Sequence, residues 1–264
     1  MDNHVKTVDK PPSEGRNEPL LVDKRPVRGA SISDIWRVPR DVWRARRALD
    51  RGDLAGARAL VGPLLDRFGG VTLVRKVAAE VLYASGDPLS AASLFEQVAK
   101  KLPKDRAVVV GLVASYAALN RAGDAQRSAA LLPDEIDVRL ALAWSELVAI
   151  GGDRERGARL VDEVAADPEL ARSRERIAMH KVLEAIAARD DRDLVRSKLR
   201  DAGPHAGSVR PADRAFLGYL GGVALREAGM VDDARAAFAH AMDTEPASIG
   251  AALARRELAN LGSR

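Results

Sequence analysis

One short pattern returns along the chain at a spacing that leaves few folds open. Aligned on a turn, it reads "LDRGDLAGARAL" around Gly52, "YASGDPLSAASL" around Gly86, "LNRAGDAQRSAA" around Gly123, "AIGGDRERGARL" around Gly152 and "LREAGMVDDARAAF" around Gly229. A degenerate copy, "AARDDRDLVRSKL", carries Asp190 where the glycine would stand. Successive anchors are 34, 37, 29, 38 and 39 residues apart. A period in this range marks an array of supersecondary units, none of which can cover its own apolar face alone.

Each unit has the same internal logic. Before the turn lies a stretch of helical periodicity, as in "LVRKVAAEVLYAS", where Leu73, Val77, Val81 and Leu82 share a face. The glycine then ends the first helix, because a residue without Cβ takes the left-handed conformation that satisfies orphan carbonyls. Asp87 and its equivalents are placed to cap the second helix. Small residues early in that helix, Ala57, Ala91, Gly157 and Ala234, allow close approach to the first helix. Bulky ones four residues on, Val61, Phe95, Val161 and Phe238, are expected to plug into the neighbouring unit. Prolines at 103, 133, 168 and 246 fall where second helices must stop.

Composition agrees. Aromatic residues are only 4% of the chain, which suits helices packed through small residues better than a β-sandwich. There is no cysteine, so disulfides, thiolate nucleophiles and cysteine-ligated zinc are excluded. No window approaches the roughly 20 apolar residues of a membrane span, and no apolar core of a signal peptide is present. The chain is therefore expected to be cytoplasmic, if peripheral to a larger or membrane-associated complex, with no transmembrane segment. A net charge of +4 does not by itself demand nucleic acid.

The chain resembles the tetratricopeptide repeat family. The resemblance rests on Gly86, Ala91, Phe95, Val98 and Pro103, and again on Gly222, Gly229, Ala234, Phe238, Ala241 and Pro246. It implies an all-α, right-handed superhelical solenoid of about six antiparallel helix pairs over residues 34–262. The units fall near 38–69, 70–103, 105–133, 134–168, 170–203 and 211–246, with a C-terminal capping helix at 247–262. It further implies a concave groove, lined by the first helices, that holds a partner segment. Mapping that groove onto this sequence selects Arg46, Lys76, Glu80, Tyr83, Asn120, Glu146, His180, Glu184, Tyr219 and Arg226. The family's carboxylate clamp for chaperone tails is not reproduced, since Glu80 stands one turn beyond Lys76 where asparagine is needed. A peptide or helical segment with both apolar and charged residues is the expected ligand.

Catalytic spacing is not found. None of the four histidines, His4, His180, His205 and His240, forms a two-histidine metal spacing on one helix. Glycines at 218, 221 and 222 carry no P-loop lysine, and close helix packing explains them more simply. The expectation is a non-catalytic adaptor or assembly scaffold, with no cofactor, metal or small-molecule substrate. Residues 1–33 read as a disordered or partner-bound tail.

Residues 24–51 hold nine Lys or Arg against three Asp, with Trp36 and Trp43 set among Arg40, Arg44 and Arg47. Four readings of this stretch stand. It is an anionic membrane contact, a nucleic-acid footprint that would make the chain a regulatory protein, a second protein contact, or an apolar cap in which the tryptophans close the array. Pro39 is expected to interrupt any longer amphipathic helix here.

Overall fold

The computed structural model describes residues 32–262, with side chains from Val38 onward. The expectations for residues 1–31 and for the Trp36 side chain lie outside the described residues. Within them the chain is all-α, without a strand. Six helix pairs follow one another: α1 (Ile32–Asp50) with α2 (Leu54–Phe68), α3 (Thr72–Ala84) with α4 (Pro88–Ala99), and α5 (Arg106–Ala118) with α6 (Ala122–Ala129). Then come α7 (Ile136–Val148) with α8 (Arg154–Ala165), α9 (Arg174–Ala187) with α10 (Arg192–Ala206), and α11 (Pro211–Glu227) with α12 (Val231–Thr244). The last helix, α13 (Ile249–Gly262), packs on both members of the sixth pair. Each first helix also touches the next first helix, so the pairs stack in chain order.

The local chemistry of the turns is regular. Backbone φ is positive at Gly52, Gly86, Gly151 and Gly229, and at Asn120 among non-glycine residues. Asparagine is one of the few side chains that tolerate this conformation. The third and fourth turns are thus Asn120 and Gly151, not Gly123 and Gly152; Gly123 lies in the first turn of α6. With that correction the first three turn residues are spaced 34 and 34 apart. Aspartates then open the second helices. Asp53 accepts from the Gly56 amide, Asp87 from Ser90, Asp153 from Arg156, and Asp191 from both Asp193 and Leu194. Such a cap is worth about 1 kcal/mol.

Close packing follows from the small residues. Ala57, Ala91 and Ala234 have no exposed surface, and a Cβ on Gly157 would sit 2.8 Å from Leu147. Phe95 fills the space over Gly111 in the next pair, as expected. Phe238 departs from that expectation: its ring covers Gly222 of its own pair, where an added Cβ would lie 2.5 Å away. Gly221 and Gly218 likewise face Leu199 and Ala241 across helix contacts. Pro39 lies inside α1 rather than ending it. Its ring is on the exposed side of the helix.

The array curls until distant units meet. The turn at Gly86 lies against Ser248, just before α13, and Ala252 of α13, with an added Cβ 3.0 Å from Ala252. Arg256 of α13 donates to the Ala118 carbonyl at the end of α5, 3.0 Å away. The Gly52 turn approaches Pro211, the first residue of α11. One apolar cluster accordingly extends from Ala114 and Ala118 of α5 to Leu253 and Ala254 of α13.

Replacing Gly222 by alanine drives a methyl into the Phe238 ring. It is expected to lower unfolding free energy by about 1–3 kcal/mol, the usual cost of overpacking. The same change at Gly62, which meets nothing within 4 Å, is expected to leave stability equal or slightly raised. Denaturant midpoints of the two variants check the contrast.

Candidate functional site

The inner side of the curl holds a half-open cavity of about 590 Å³. Its wall comes from first helices, together with the short turn Leu170–Arg172 and Ser173 that lead into α9. The apolar part consists of Val110 on α5, Leu140, Ala141 and Trp144 on α7, Met179 on α9, and Phe216 and Leu217 on α11. Tyr83, from the last turn of α3, closes one side. Trp144 and Phe216 meet edge to face with ring centroids 4.9 Å apart, and Phe216 leads on to the buried Tyr219 at 6.1 Å. This aromatic chain fixes the cavity floor.

The rim is ionic and mostly self-satisfied. Asp137 on α7 accepts two bonds from Arg176 of α9, Nε at 2.8 Å and Nη2 at 3.1 Å, and a further one from Arg106 of α5. Arg106 also pairs with Glu135 at 2.8 Å. Arg172 pairs with Glu169, and Asp213 is held by Arg210 at 2.6 Å. Burial pushes the Asp137 carboxyl up, but the bonds from Arg176 and Arg106 outweigh it and hold it below the ordinary carboxylate range. Glu175 is the exception on the rim, with no ion pair among the described residues. Glu175 is solvent-exposed at the mouth of the cavity, and its carboxyl is raised, first by partial desolvation against the cavity wall and then by the Asp213 charge. Next to this cavity a smaller recess brings Lys76 and its partner Asp105, 2.6 Å apart, to Arg106 and Asp137. The cations and carboxylates thus tie α3 to α5, α5 to α7 and α7 to α9 in series.

Of the ten residues expected in the groove, only Tyr83 lines the main cavity, and Lys76 lines the adjoining recess. Arg46 and Glu80 sit together, 3.5 Å apart, on α1 and α3. Burial raises the Glu80 carboxyl, and its Oε1 has no hydrogen-bond partner. The structure places the others elsewhere. Asn120 is the turn itself. Glu146 is completely buried, accepting from Gln126 at 2.9 Å and from the Asp153 amide at 2.8 Å, between α6 and α8. His180 is buried with Nε2 2.9 Å from the Val161 carbonyl, and Glu184 accepts from Lys181 and from Lys198 of α10. Tyr219 is core, its phenol pushed up to about 12 by burial and then by Glu257. Arg226 is tied to Glu257 and Glu227.

The cause is register. The groove mapping counts back from the turn residue, and an anchor misplaced by one residue turns a helical position by about 100°. Counting six back from Gly151 instead of Gly152 gives Ser145 in place of Glu146, and ten back gives Ala141. α9 ends at Ala187 with Ala188 as its cap, so the equivalent turn position is Arg189, and ten back from it is Met179 rather than His180. Ten back from Asn120 is Val110. Ala141, Met179 and Val110 all line the cavity. Tyr219 occupies the equivalent place on α11, but there α13 covers it.

The N-terminal contact residues divide differently. Val38, Val42 and Ala45 are the buried face of α1, so these and not Trp43 close the first core cluster. Trp43 is 56% exposed, with Arg47 stacked 4.9 Å from its ring centroid. Arg40, Trp43, Arg44 and Arg47 fall on one exposed stripe of the helix. Arg40 and Arg44 lie 3.6 and 3.7 Å from Asp41. No helix among the described residues is long and apolar enough to cross a membrane.

Because the folded pKa of Asp137 is depressed, its contribution to stability is present above the ordinary carboxylate range and is lost as pH falls through the folded value. Asp137→Asn is expected to cost about 1–3 kcal/mol at pH 7 and progressively less in acid. Thermal melts of both proteins between pH 7 and pH 3 check this, and a gap that stays constant overturns it. No family model matches the chain, nor does any curated protein or solved structure, so what the cavity accommodates follows from its own side chains.

Proposed function

We propose that the chain is a non-catalytic protein-interaction scaffold of tetratricopeptide type, a right-handed superhelix that holds a partner segment in the cavity of its first helices. One observation carries the reading: an apolar, partly aromatic hollow framed by charged side chains, drawn from four successive first helices and closed by Tyr83. Such a surface suits an extended or helical peptide, whose apolar side chains enter while polar neighbours meet the rim. The turn residues 34 apart and the caps of the second helices support the family assignment.

A photo-crosslinking amino acid at Met179, in the hollow, is expected to capture the same partner segment as one at Ser173, while one at Glu155 on α8 captures none of it. Equal capture from Glu155, or none from either cavity position, sinks the reading.

The exposed stripe of Arg40, Trp43, Arg44 and Arg47 favours a second reading, a nucleic-acid-associated regulator that uses the basic stretch 24–51. Three arginines neutralising three phosphates give a slope of about −3 in log affinity against log salt for duplex DNA. Electrophoretic shifts across a salt series measure it, and absence of any shift at low salt removes the reading.

A further inference from the structure

We infer that the cavity selects a partner segment by a basic side chain, lysine or arginine, inserted over the Trp144–Phe216 floor and toward Glu175. The inference rests on the scaffold reading and specifies what enters the hollow.

Charge bookkeeping around the cavity points to a cation. Three arginines and three carboxylates line it, Arg106, Arg172 and Arg176 against Asp137, Glu175 and Asp213. Each arginine is already engaged by a carboxylate, Arg106 by Glu135 and Asp137, Arg172 by Glu169, and Arg176 by Asp137. Asp213 is neutralised by Arg210. What is left over is the carboxylate of Glu175. An incoming acidic residue meets arginines whose charge a carboxylate already offsets, whereas an incoming cation meets a carboxylate with no ion pair among the described residues.

The floor is suited to the same guest. Aromatic faces attract ammonium and guanidinium groups, more strongly where water is excluded. Trp144, Phe216 and Tyr83 all border the hollow. The aliphatic stem of lysine or arginine matches Leu140, Leu217 and Met179, leaving its charged end for the rim. The raised carboxyl of Glu175 agrees, since the group faces Asp213 and Arg210 at the start of α11, Asp137 on α7 and Arg176 on its own helix without a dedicated counter-ion. A cation seated beside it restores its ionised form.

A displayed library of random twelve-residue peptides, selected against the full-length chain, tests this. The result expected is enrichment of one lysine or arginine flanked by apolar residues. A chosen peptide then binds Glu175→Gln at least about tenfold more weakly, as does the same peptide with norleucine at the basic position. Circular dichroism shows that Glu175→Gln folds, and Glu155→Gln serves as the control that leaves binding unchanged. Enrichment of apolar or acidic peptides, competed by a cavity crosslink at Met179 but indifferent to Glu175→Gln, overturns the basic guest and leaves the scaffold reading standing. Failure to select any peptide that Met179 crosslinks overturns both.

Discussion

No helix pair in this chain can bury its own apolar side, and every other feature follows from how that deficit is met. Each first helix is covered by its own second helix and by the neighbouring first helices, and contact at these distances needs small residues where axes approach. Ala57, Ala91, Gly157 and Ala234 supply them early in the second helices, and Gly111 and Gly222 supply the hollows for Phe95 and Phe238. Stability in such an array is spread over nearest-neighbour interfaces. The last interface must still be covered, and α13 does so by lying on α11 and α12.

The ionic links act on top of this packing. Lys76 with Asp105, Arg106 with Asp137, and Asp137 with Arg176 each join one first helix to the next near its N-terminal end. Asp105 serves twice, since it also caps α5 by accepting from the Val108 amide. Lys76 with Asp105 and Asp137 with Arg176 are partly buried, so salt screens them less than surface pairs and the loss of one partner is felt by the other, whereas Arg106 with Asp137 is exposed. They also fix which charges around the cavity remain available, because an arginine with a carboxylate partner offers little to an incoming acid.

Much of the fold was legible because turn chemistry is local. Glycine before aspartate, a small residue and then a bulky one, and proline after the helix are each dictated by backbone conformation or close approach. The pairing of helices could be read from them. The cavity residues were harder. Their identification needs the register to the residue, and two signals misled: Gly123 drew attention from Asn120, and Gly152 from Gly151. An asparagine after a helical run is itself a left-handed signal, and with Asn120 as anchor the regular spacing of 34 leads directly to Val110. Arg106, Asp137 and Arg176 were missed for another reason. They lie near the N-terminal ends of their helices, and only the stacking of successive pairs brings them together. Tyr219 is covered because α13 caps the last pair by lying on α11, whereas the meeting of the Gly86 turn with α13 depends on curvature, which accumulates over the whole array and has no local signature.

That curvature has a consequence for recognition. An open trough of helices presents a long surface on which many peptides find weak footing. Here the Gly86 turn rests on α13 and Arg256 reaches the end of α5, so the trough is shortened into a bounded hollow. A half-open hollow is a smaller and more sharply shaped surface than a long trough, and charge and shape discriminate more strongly on such a surface. Loosening the contact between α13 and the second and third pairs would reopen the trough and trade that selectivity for reach. The contact includes one arginine-to-carbonyl bond, the Gly86 turn against Ser248 and Ala252, and Tyr83 packed on the cluster that contains Leu253, fewer interactions than within any pair. Opening at this seam is therefore expected to cost less than separating two stacked units.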